Sequence, residues 1–444
     1  MEVNHMANTF SVTAFTSRVL GTFLAQQSPF MGISYRGIPE FEESGKMYAS
    51  ADTVDIKIPG YPTVQRGLTT TAEDITDRVV PYTISNNDIY STSFDLNIRE
   101  SVMKIVGGVL AFTSDPNKDG NGGKGMNPQA KAYIDNYVTP SGEVILGALE
   151  VELATKCKNA AFYTPVTSNS SLQAVNSYSK ISAVNNLMNQ LGFMKTQRYG
   201  IMNNTDSNSV ADSLQNMFNT AINDNITKNA RLGGPDKGRL ANFDIFESNS
   251  IPNQENSLQY LANPDSTGVT VDSVATDGTT ITFAGIEAST VGVINAGTMI
   301  SIPTVFLINK TNKLSLSTNL VVVAAADADS DAGGLCTVTL SEPLVVTGFH
   351  QNVDSFPSNG DPVEVIAGHK NNLFFVPMGI IANPIGLAEI YGADNSRYNL
   401  KGANVDCRTY IQGVVNNGVN SIRMSTLVPT LGIPSYLINL PSPL

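Results

Sequence analysis

The most regular hydrophobic pattern in the chain has helical spacing and lies just before residue 160. Its apolar positions fall at i, i+3, i+7 and i+11, on one face of a helix: Leu146, Leu149, Leu153 and Cys157. Acidic residues lie towards the start of this segment and lysines towards its end, as the helix macrodipole favours: Glu143, Glu150 and Glu152, then Lys156 and Lys158. The pattern predicts a long helix over residues 141–162.

Three shorter patterns have the same spacing. Two predict core helices, the first carrying Ile181, Val184, Leu187, Met188 and Leu191 before a stop at Gly192, the second Val210, Leu214 and Met217. The third lies in a Ser/Thr-rich start and places Phe15, Val19 and Phe23 at i, i+4 and i+8. We therefore expect an N-terminal arm over residues 1–45 that contains one amphipathic helix.

Alternation of period two predicts an extended hairpin over residues 46–98. Apolar residues share one face of its first limb until Pro59-Gly60: Val54, Ile56 and Ile58. A second extended stretch, Arg78 to Phe94, follows a polar tip, Leu68 to Thr76. At ~3.3 Å per residue, a limb of about 15 residues reaches on the order of 50 Å. A projection of that length needs a neighbouring subunit to cover its edges and faces.

Short Thr-, Val- and Ile-rich strands separated by turn signals dominate residues 266–347. Val269 to Val271 and Ile281 to Phe283 flank Asp277-Gly278 and predict a hairpin with a tight turn. Further short strands are predicted at Met299 to Ile308, Leu320 to Val323 and Cys336 to Leu340. The segment is typical of an antiparallel β barrel or sandwich inserted into an α+β chain. Residues 99–265 then hold the helices, and residues 348–444 return to mixed structure and end in a Pro-rich tail from Pro434.

Composition narrows the possible classes of protein. The chain has 444 residues, 41% of them hydrophobic and 15% charged, which indicates a folded protein of two or three modules. No segment approaches the roughly 18 apolar residues of a membrane span, and we expect a cytosolic chain outside the secretory route. The net charge of −12 disfavours tight DNA binding, because that binding depends on Lys and Arg neutralising phosphates.

Each segment that resembles a metal- or nucleotide-binding motif lacks at least one residue that the motif requires. Asp115, Asn117, Asp119 and Gly120 imitate a calcium loop, but Met126 stands where a bidentate Glu is needed. Gly122-Gly123-Lys124 lacks the following Ser/Thr of a phosphate loop, since Gly125 is there instead. Asp327, Asp329 and Asp331 alternate in a turn whose glycine position is Ala332 and whose closing acidic position is Val338, which favours a solvated turn.

Catalytic candidates are equally sparse. The cysteines, Cys157, Cys336 and Cys407, are far apart, which argues against a disulfide framework or a zinc site. No G-x-S-x-G elbow occurs, and His350 and His369 stand in no catalytic motif, so we expect them in surface loops or hydrogen-bonded positions. A pair of catalytic carboxylates stays open, because its geometry is tertiary. We predict that the chain has no catalytic, cofactor-binding or metal site and that it is not an enzyme.

The order of parts resembles the major capsid (coat) protein of tailed bacteriophages. Three segments carry the resemblance: Arg239 to Phe246 with Ser248, Ser250 and Pro252; Gly297 to Pro303 with Val305-Phe306; and Leu149 to Leu153 with Asn159 to Ala161. The chain is similar to the Salmonella short-tailed-phage coat type, which has an HK97-like (Hong Kong 97) capsid fold with an inserted β-barrel domain. Residues 273–279 are short where that family has a long charged loop, so stabilisation through that loop is not expected.

The resemblance implies a function in assembly. It implies that the chain forms hexamers and pentamers of an icosahedral shell, with residues 46–98 as the extended hairpin called the E-loop. It also implies a scaffolding protein, a portal protein, enclosed double-stranded DNA, no membrane, and assembly of the virion capsid in the bacterial host cytoplasm, and it leaves the presence of decoration proteins open. The alternative is another virion structural or appendage protein with a β-rich binding role, against which the long helix and the absence of a repeat argue.

Overall fold

The computed structural model describes residues 29–35, 53–62, 76–97, 139–193, 197–215, 238–383, 394–400, 405–414 and 419–444. Several residues considered above lie outside the described ranges: the helix around Phe15 to Phe23, residues 68–75 of the hairpin tip, the motif residues Asp115 to Met126, and Met217. No helix within the described ranges is long and apolar enough to cross a membrane.

Five α-helices are described: α1 Pro29–Ile33, α2 Thr139–Ala160, α3 Tyr178–Gln190, α4 Asn204–Gln215 and α5 Leu258–Ala262. The strands of the first half are β1 Thr53–Ile58, β2 Arg78–Thr83, β3 Ile89–Asn97, β4 Arg198–Met202, β5 Gly238–Leu240 and β6 Phe243–Glu247. Then follow β7 Thr270–Val274, β8 Thr280–Ala284, β9 Met299–Ile308, β10 Ser315–Val323, β11 Cys336–Thr339 and β12 Glu364–Val365. The last are β13 His369–Lys370, β14 Leu373–Phe375, β15 Ile380–Ala382, β16 Asp394–Leu400, β17 Val405–Val414, β18 Val419–Leu427, β19 Thr430–Gly432, β20 Leu437–Asn439 and β21 Ser442–Pro443.

The long helix predicted over residues 141–162 is confirmed as α2, which begins and ends two residues earlier. Its predicted apolar face is the buried face, since Leu149, Leu153 and Cys157 are fully enclosed. They pack with Ile201 and Leu373 of the strands beneath. The helical period therefore identified both the helix and the side that meets the core.

The two shorter helices are also confirmed. Helix α3 buries Ile181, Val184, Leu187 and Met188, and the chain leaves it through Gly192 at φ +83°, a conformation that glycine adopts without strain. Helix α4 buries Val210.

A five-stranded central sheet, ordered β20-β14-β4-β6-β5, lies under α2. Strands β4 and β6 run parallel and the other pairs are antiparallel. The sheet includes β20, so the interpretation of Pro434 to Leu444 as a tail is wrong. Leu437 and Ile438 are fully buried there, and β21 pairs with β13. Strands of two or three residues are too short to show a period, and the prolines suggested a tail instead.

The predicted hairpin exists, but its second limb is divided. Strands β1 and β2 pair antiparallel from Thr53 with Thr83 to Ile58 with Arg78. The chain then turns at Asn86–Asp88, and β3 joins a separate antiparallel sheet, ordered β16-β17-β18-β3. The expectation of one continuous limb from Arg78 to Phe94 is therefore wrong. Alternation shows which side of a strand is buried, and it does not show which strand is the partner.

Strands β7 to β12, here called the β module, form two antiparallel sheets ordered β11-β8-β7 and β10-β9-β12. Isolated bridges join the sheets at both edges, where Thr270 pairs with Pro362 and Ala324 with Leu340. Hydrogen-bonded pairs therefore connect all six strands in a closed cycle, and the pairing continues past residue 347. The cycle encloses a shared set of buried apolar side chains: Val271, Ile281, Phe283, Ile300, Ile302, Leu320, Val322 and Val338.

Candidate functional site at the base of the hairpin

The hairpin β1–β2 lies against the rest of the chain along one face. Val54, Ile56 and Ile58 are buried with Ile84, Ile381, Leu427 and Ile433. The opposite face is open and carries alternating residues of both strands: Thr53, Asp55, Lys57, Val79, Pro81 and Thr83. The strand period thus fixes an inner apolar face and an outer face of mixed character.

A charged junction fastens the hairpin to α2. Asp88, which is buried, accepts hydrogen bonds from the Tyr82 hydroxyl at 2.5 Å and from the Ser85 amide at 2.8 Å. Lys156 of α2 has its Nζ 3.7 Å from Asp88 Oδ1 and 2.8 Å from Glu152 Oε1. The lysine therefore joins a carboxylate of the turn that follows β2 to a carboxylate of its own helix.

Two further contacts complete this junction. Lys156 donates to the Thr430 hydroxyl at 2.9 Å, and Tyr90 of β3 donates to Glu152. Burial and the neighbouring carboxylates raise the pKa of both Tyr82 and Tyr90, so both phenols remain protonated donors well into the alkaline range. Hydrogen bonds and ion pairs thus link these side chains in one network, which holds the turn after β2 in place.

A second junction fastens the hairpin to the β module. Arg78, the first residue of β2, forms an ion pair with Glu342, which is buried just after β11. The Ser435 hydroxyl donates to the same carboxylate at 2.6 Å. Near the strand ends, the Tyr61 amide donates to Phe349 O at 3.0 Å, and His350 Nε2 lies 3.1 Å from Thr76 O.

Lys310, at the start of the β9–β10 turn, lies beside this ion pair. Its Nζ donates to Ser435 O at 2.6 Å and lies over the rings of Phe193, Tyr163 and Tyr436, at 4.5, 5.1 and 5.4 Å from their centroids. The side chain is half-buried and its ammonium group is enclosed by these rings. Loss of hydration lowers the pKa of Lys310 to about 8, while Glu342 opposes the shift.

The junction around Lys310 surrounds a cavity of about 30 Å³, lined by residues of the hairpin, the β module and the C-terminal segment, residues 434–444. A space of that size accommodates a water molecule and no organic substrate. The arrangement is therefore suited to joining three parts of the chain.

The residues considered from sequence lie elsewhere and have structural roles. Asp327 accepts from the Ala296 amide at 2.7 Å, Asp329 from the Gly292 amide at 2.6 Å, and Asp331 from the amides of Gly333 and Leu335, each at 2.8 Å. These carboxylates face separate backbone amides. Within the described residues, no group of three or more His, Cys, Asp or Glu side chains is placed to hold a metal ion.

His369 is fully buried in β13 and hydrogen-bonded, so of the two expected environments the hydrogen-bonded position is the one observed. Its Nδ1 lies 2.8 Å from Ala367 O, and since a carbonyl oxygen only accepts, Nδ1 carries a proton. Burial, with a smaller contribution from Lys158, lowers the pKa of His369 to about 4. His350 is half-buried at the hairpin base, and Cys157 and Cys336 are buried free thiols.

Sequence reasoning did not identify the residues of either junction as a site. Asp88, Arg78, Lys310 and Glu342 are single charges in segments of different structure, and no spacing links them. One sequence signal pointed to this junction, because Lys310 and Lys313 are the only Lys or Arg residues between positions 240 and 369.

Comparisons with known proteins give structural matches alone. Neither a protein family nor a characterised protein sequence matches the chain. It is similar to a structure from Mycobacterium phage Che8, with 10% identity, 93% of this chain and 91% of that chain covered, and a TM-score of 0.41. For the capsid of Ralstonia phage GP4 these values are 9%, 92%, 90% and 0.39, and for the SrpI encapsulin complex of Synechococcus elongatus 8%, 98%, 92% and 0.34. Likenesses of this size decide neither family nor function.

Proposed function

We propose that the chain is a shell-forming capsid protein. The observation that carries the proposal is the hairpin β1–β2, which is fastened at its base to both α2 and the β module while its outer face stays open. On that face Val79 is 45% exposed and pairs with Lys57, and Pro81 pairs with Asp55. A firmly anchored strand pair with a half-apolar free face is suited to contact a neighbouring subunit, and repetition multiplies each weak contact.

The finer proposal is a tailed-phage major capsid protein with an HK97-like fold. Residues 46–98 would then be the E-loop, α2 the spine helix, residues 1–45 the N-terminal arm and the β module an inserted barrel. The cyclic strand pairing supports the barrel, and the enclosed face of α2 supports the spine helix. The two junctions at the hairpin base support an E-loop whose direction is set by its own subunit.

Charge distribution supports the enclosure of DNA without a tight grip. Residues 266–365 hold ten acidic and two basic residues, a net charge of −8 out of −12 for the chain. Exposed carboxylates lie around this module: Asp277, Glu287, Asp327, Asp329, Asp331 and Asp354. Such a surface repels phosphate backbones, so we propose that the module faces away from packaged double-stranded DNA.

The proposal includes partners. The chain would contact itself in hexamers and pentamers and would assemble in the host cytoplasm with a scaffolding protein and a portal, whereas the presence of decoration proteins stays open. We propose no enzymatic activity and no cofactor, because within the described residues the cavity at the hairpin base has space for a water molecule only and no group of three or more His, Cys, Asp or Glu side chains is placed to hold a metal ion.

Negative-stain electron microscopy of the chain co-expressed with its neighbouring viral genes tests the proposal. Closed shells tens of nanometres across are the expected result for a protein that assembles by repeated contacts. A soluble chain that remains a monomer or a small discrete oligomer under these conditions would overturn the capsid function and favour the appendage alternative. The variant Val79→Asp should reduce shell yield while leaving the circular dichroism of the subunit unchanged, and Val291→Asp, at an exposed valine away from the hairpin, is its control.

A further inference from the structure

Helix α2 has an apolar face that nothing in the described chain covers. Val144 and Val151 are 65% and 47% exposed, and the exposed residues Gly147 and Ala148 lie between them. The positions i, i+3, i+4 and i+7 form one stripe on a helix, and we call these four residues the α2 stripe. Thr155 follows at i+11 with its hydroxyl bonded to Val151 O at 2.8 Å, so it adds little polarity.

The stripe differs from the other flank of the helix. There, Glu152 and Lys156 are engaged with the hairpin base, as described above. Gly147 is unusual, because a glycine inside a helix costs about 1 kcal/mol relative to alanine. A Cβ at Gly147 would meet no atom within 4 Å. Nothing within the described residues therefore requires a glycine there, whereas the close approach of a second helix would require one.

The chain's own N-terminal segment is the occupant that the structure favours. Helix α1 packs against the same helix, with Phe30 and Met31 among Ile145, Leu146 and Leu149. The segment before it therefore leads directly to α2. Residues 15–24 carry large apolar side chains at i, i+4, i+5, i+8 and i+9: Phe15, Val19, Leu20, Phe23 and Leu24. Those side chains complement a stripe whose centre is made of small residues.

The connection is long enough. Five Cα–Cα steps separate Leu24 from Pro29, and at up to ~3.6 Å per residue they span about 18 Å when extended. The connection must pass around α2, and half the circumference of a helix ~10–12 Å across is about 16–19 Å. The extended connection therefore just reaches from the side of α2 that contacts α1 to the side that bears the stripe.

We propose that residues 10–24 form a helix that docks on the α2 stripe of the same subunit. Phe15, Val19 and Phe23 would lie over Gly147 and Ala148, between the two valines. The proposal does not depend on shell formation, because the contact lies within one chain.

Limited trypsin digestion of the full-length, unassembled chain tests the docking. Arg18 lies inside the segment, and a docked helix would protect the bond after it, since proteolysis follows the population of the open state. The variant Val151→Glu should raise the rate of cleavage after Arg18 about tenfold by burying a charge under the segment. The control is Val291→Glu, an exposed valine of the β module, which should leave the rate unchanged. Equal rates in all three proteins would overturn the proposal.

Disulfide trapping distinguishes the possible occupants. In a Cys407→Ser background, single cysteines at positions 15, 19 and 23 are each combined with Ala148→Cys, and the products are mapped by mass spectrometry. A bond within one chain is expected for at least one pair, and none when Ser179→Cys, exposed on α3, replaces the partner. Mixing isotopically heavy and light chains reveals which chain is linked. A bond exclusively between chains would overturn the intrachain contact in favour of a second copy, and no bond would overturn the docking.

Discussion

Lys310 illustrates how one residue joins separate parts of the chain. Its ammonium group meets a backbone carbonyl from the C-terminal segment and three aromatic rings, and it lies near the ion pair that fixes β2. Aromatic faces attract a cation, but they replace only part of its hydration, which is why its pKa falls. Lys310 therefore adds packing and directional contacts, but the burial of its charged form lowers the stability of the fold.

The pH dependence of stability should reveal this cost. The folded pKa of about 8 lies below the reference value of 10.5, so the unfolded chain binds the proton more tightly. The charge then disfavours folding fully below pH 8, and the unfolding free energy gains from this group as the pH rises from 8 towards 10.5. Chemical denaturation of Lys310→Met at several pH values should show a smaller rise than the wild type. Parallel profiles for the two proteins would contradict the burial of the charge.

His369 should act in the acid range. Its folded pKa of about 4 lies below the reference of 6.5, so its contribution is complete above pH 6.5 and is lost as the pH falls towards 4. A difference of that size corresponds to roughly 3 kcal/mol of unfolding free energy. The variant His369→Gln should flatten the difference in stability between pH 6.5 and pH 4, whatever its effect at neutral pH. His350→Gln is the control, and it should retain the wild-type acid loss.

At the scale of helices and strands, the sequence predicted the features that a repeating local pattern of apolar residues encodes. Helix α2 and the burial of Val54, Ile56 and Ile58 followed from spacing, because the buried face of an element repeats along the chain. The division of Arg78 to Phe94 between two sheets could not be predicted in this way, since β3 pairs with β18, more than 300 residues further on. The junctions were equally hidden, because Asp88 and Lys156 become neighbours only after the hairpin and α2 have packed.

Loss of the junction at Asp88 should loosen the hairpin locally. The variant Asp88→Asn removes a buried charge that accepts from Tyr82 and Ser85 and lies near Lys156. We expect hydrogen–deuterium exchange measured by mass spectrometry to quicken about tenfold or more in β1 and β2, while exchange in α3 stays unchanged. Asp77→Asn, an exposed carboxylate one residue before β2, is the matched control. Equal protection in both variants would mean that the apolar inner face alone holds the hairpin.

At the scale of the whole molecule, one hydrophobic cluster crosses the boundary between the β module and the rest of the chain. Ile181 and Val184 of α3, Phe374 of the central sheet and Ile300 of the module belong to it, together with Ile438 of the C-terminal segment. The β module therefore shares its hydrophobic core with the rest of the chain and is not an independently packed domain. The C-terminal segment closes this cluster, and its Ser435 also contacts both Lys310 and Glu342.

Removal of the C-terminal segment should consequently prevent folding of the whole chain. A stop after Ile433 deletes Leu437, Ile438 and Leu440, which are at most 3% exposed and whose burial contributes about 2 kcal/mol each. That sum is comparable with the total stability of a typical domain, about 5–15 kcal/mol. Expression should then yield aggregated protein without a cooperative thermal transition. Deletion of Leu444 alone, a residue that is 58% exposed, should leave the transition temperature within about 2 °C of the wild type. A soluble, cooperatively unfolding truncation at Ile433 would show instead that the central sheet and the β module cohere without the strands β20 and β21.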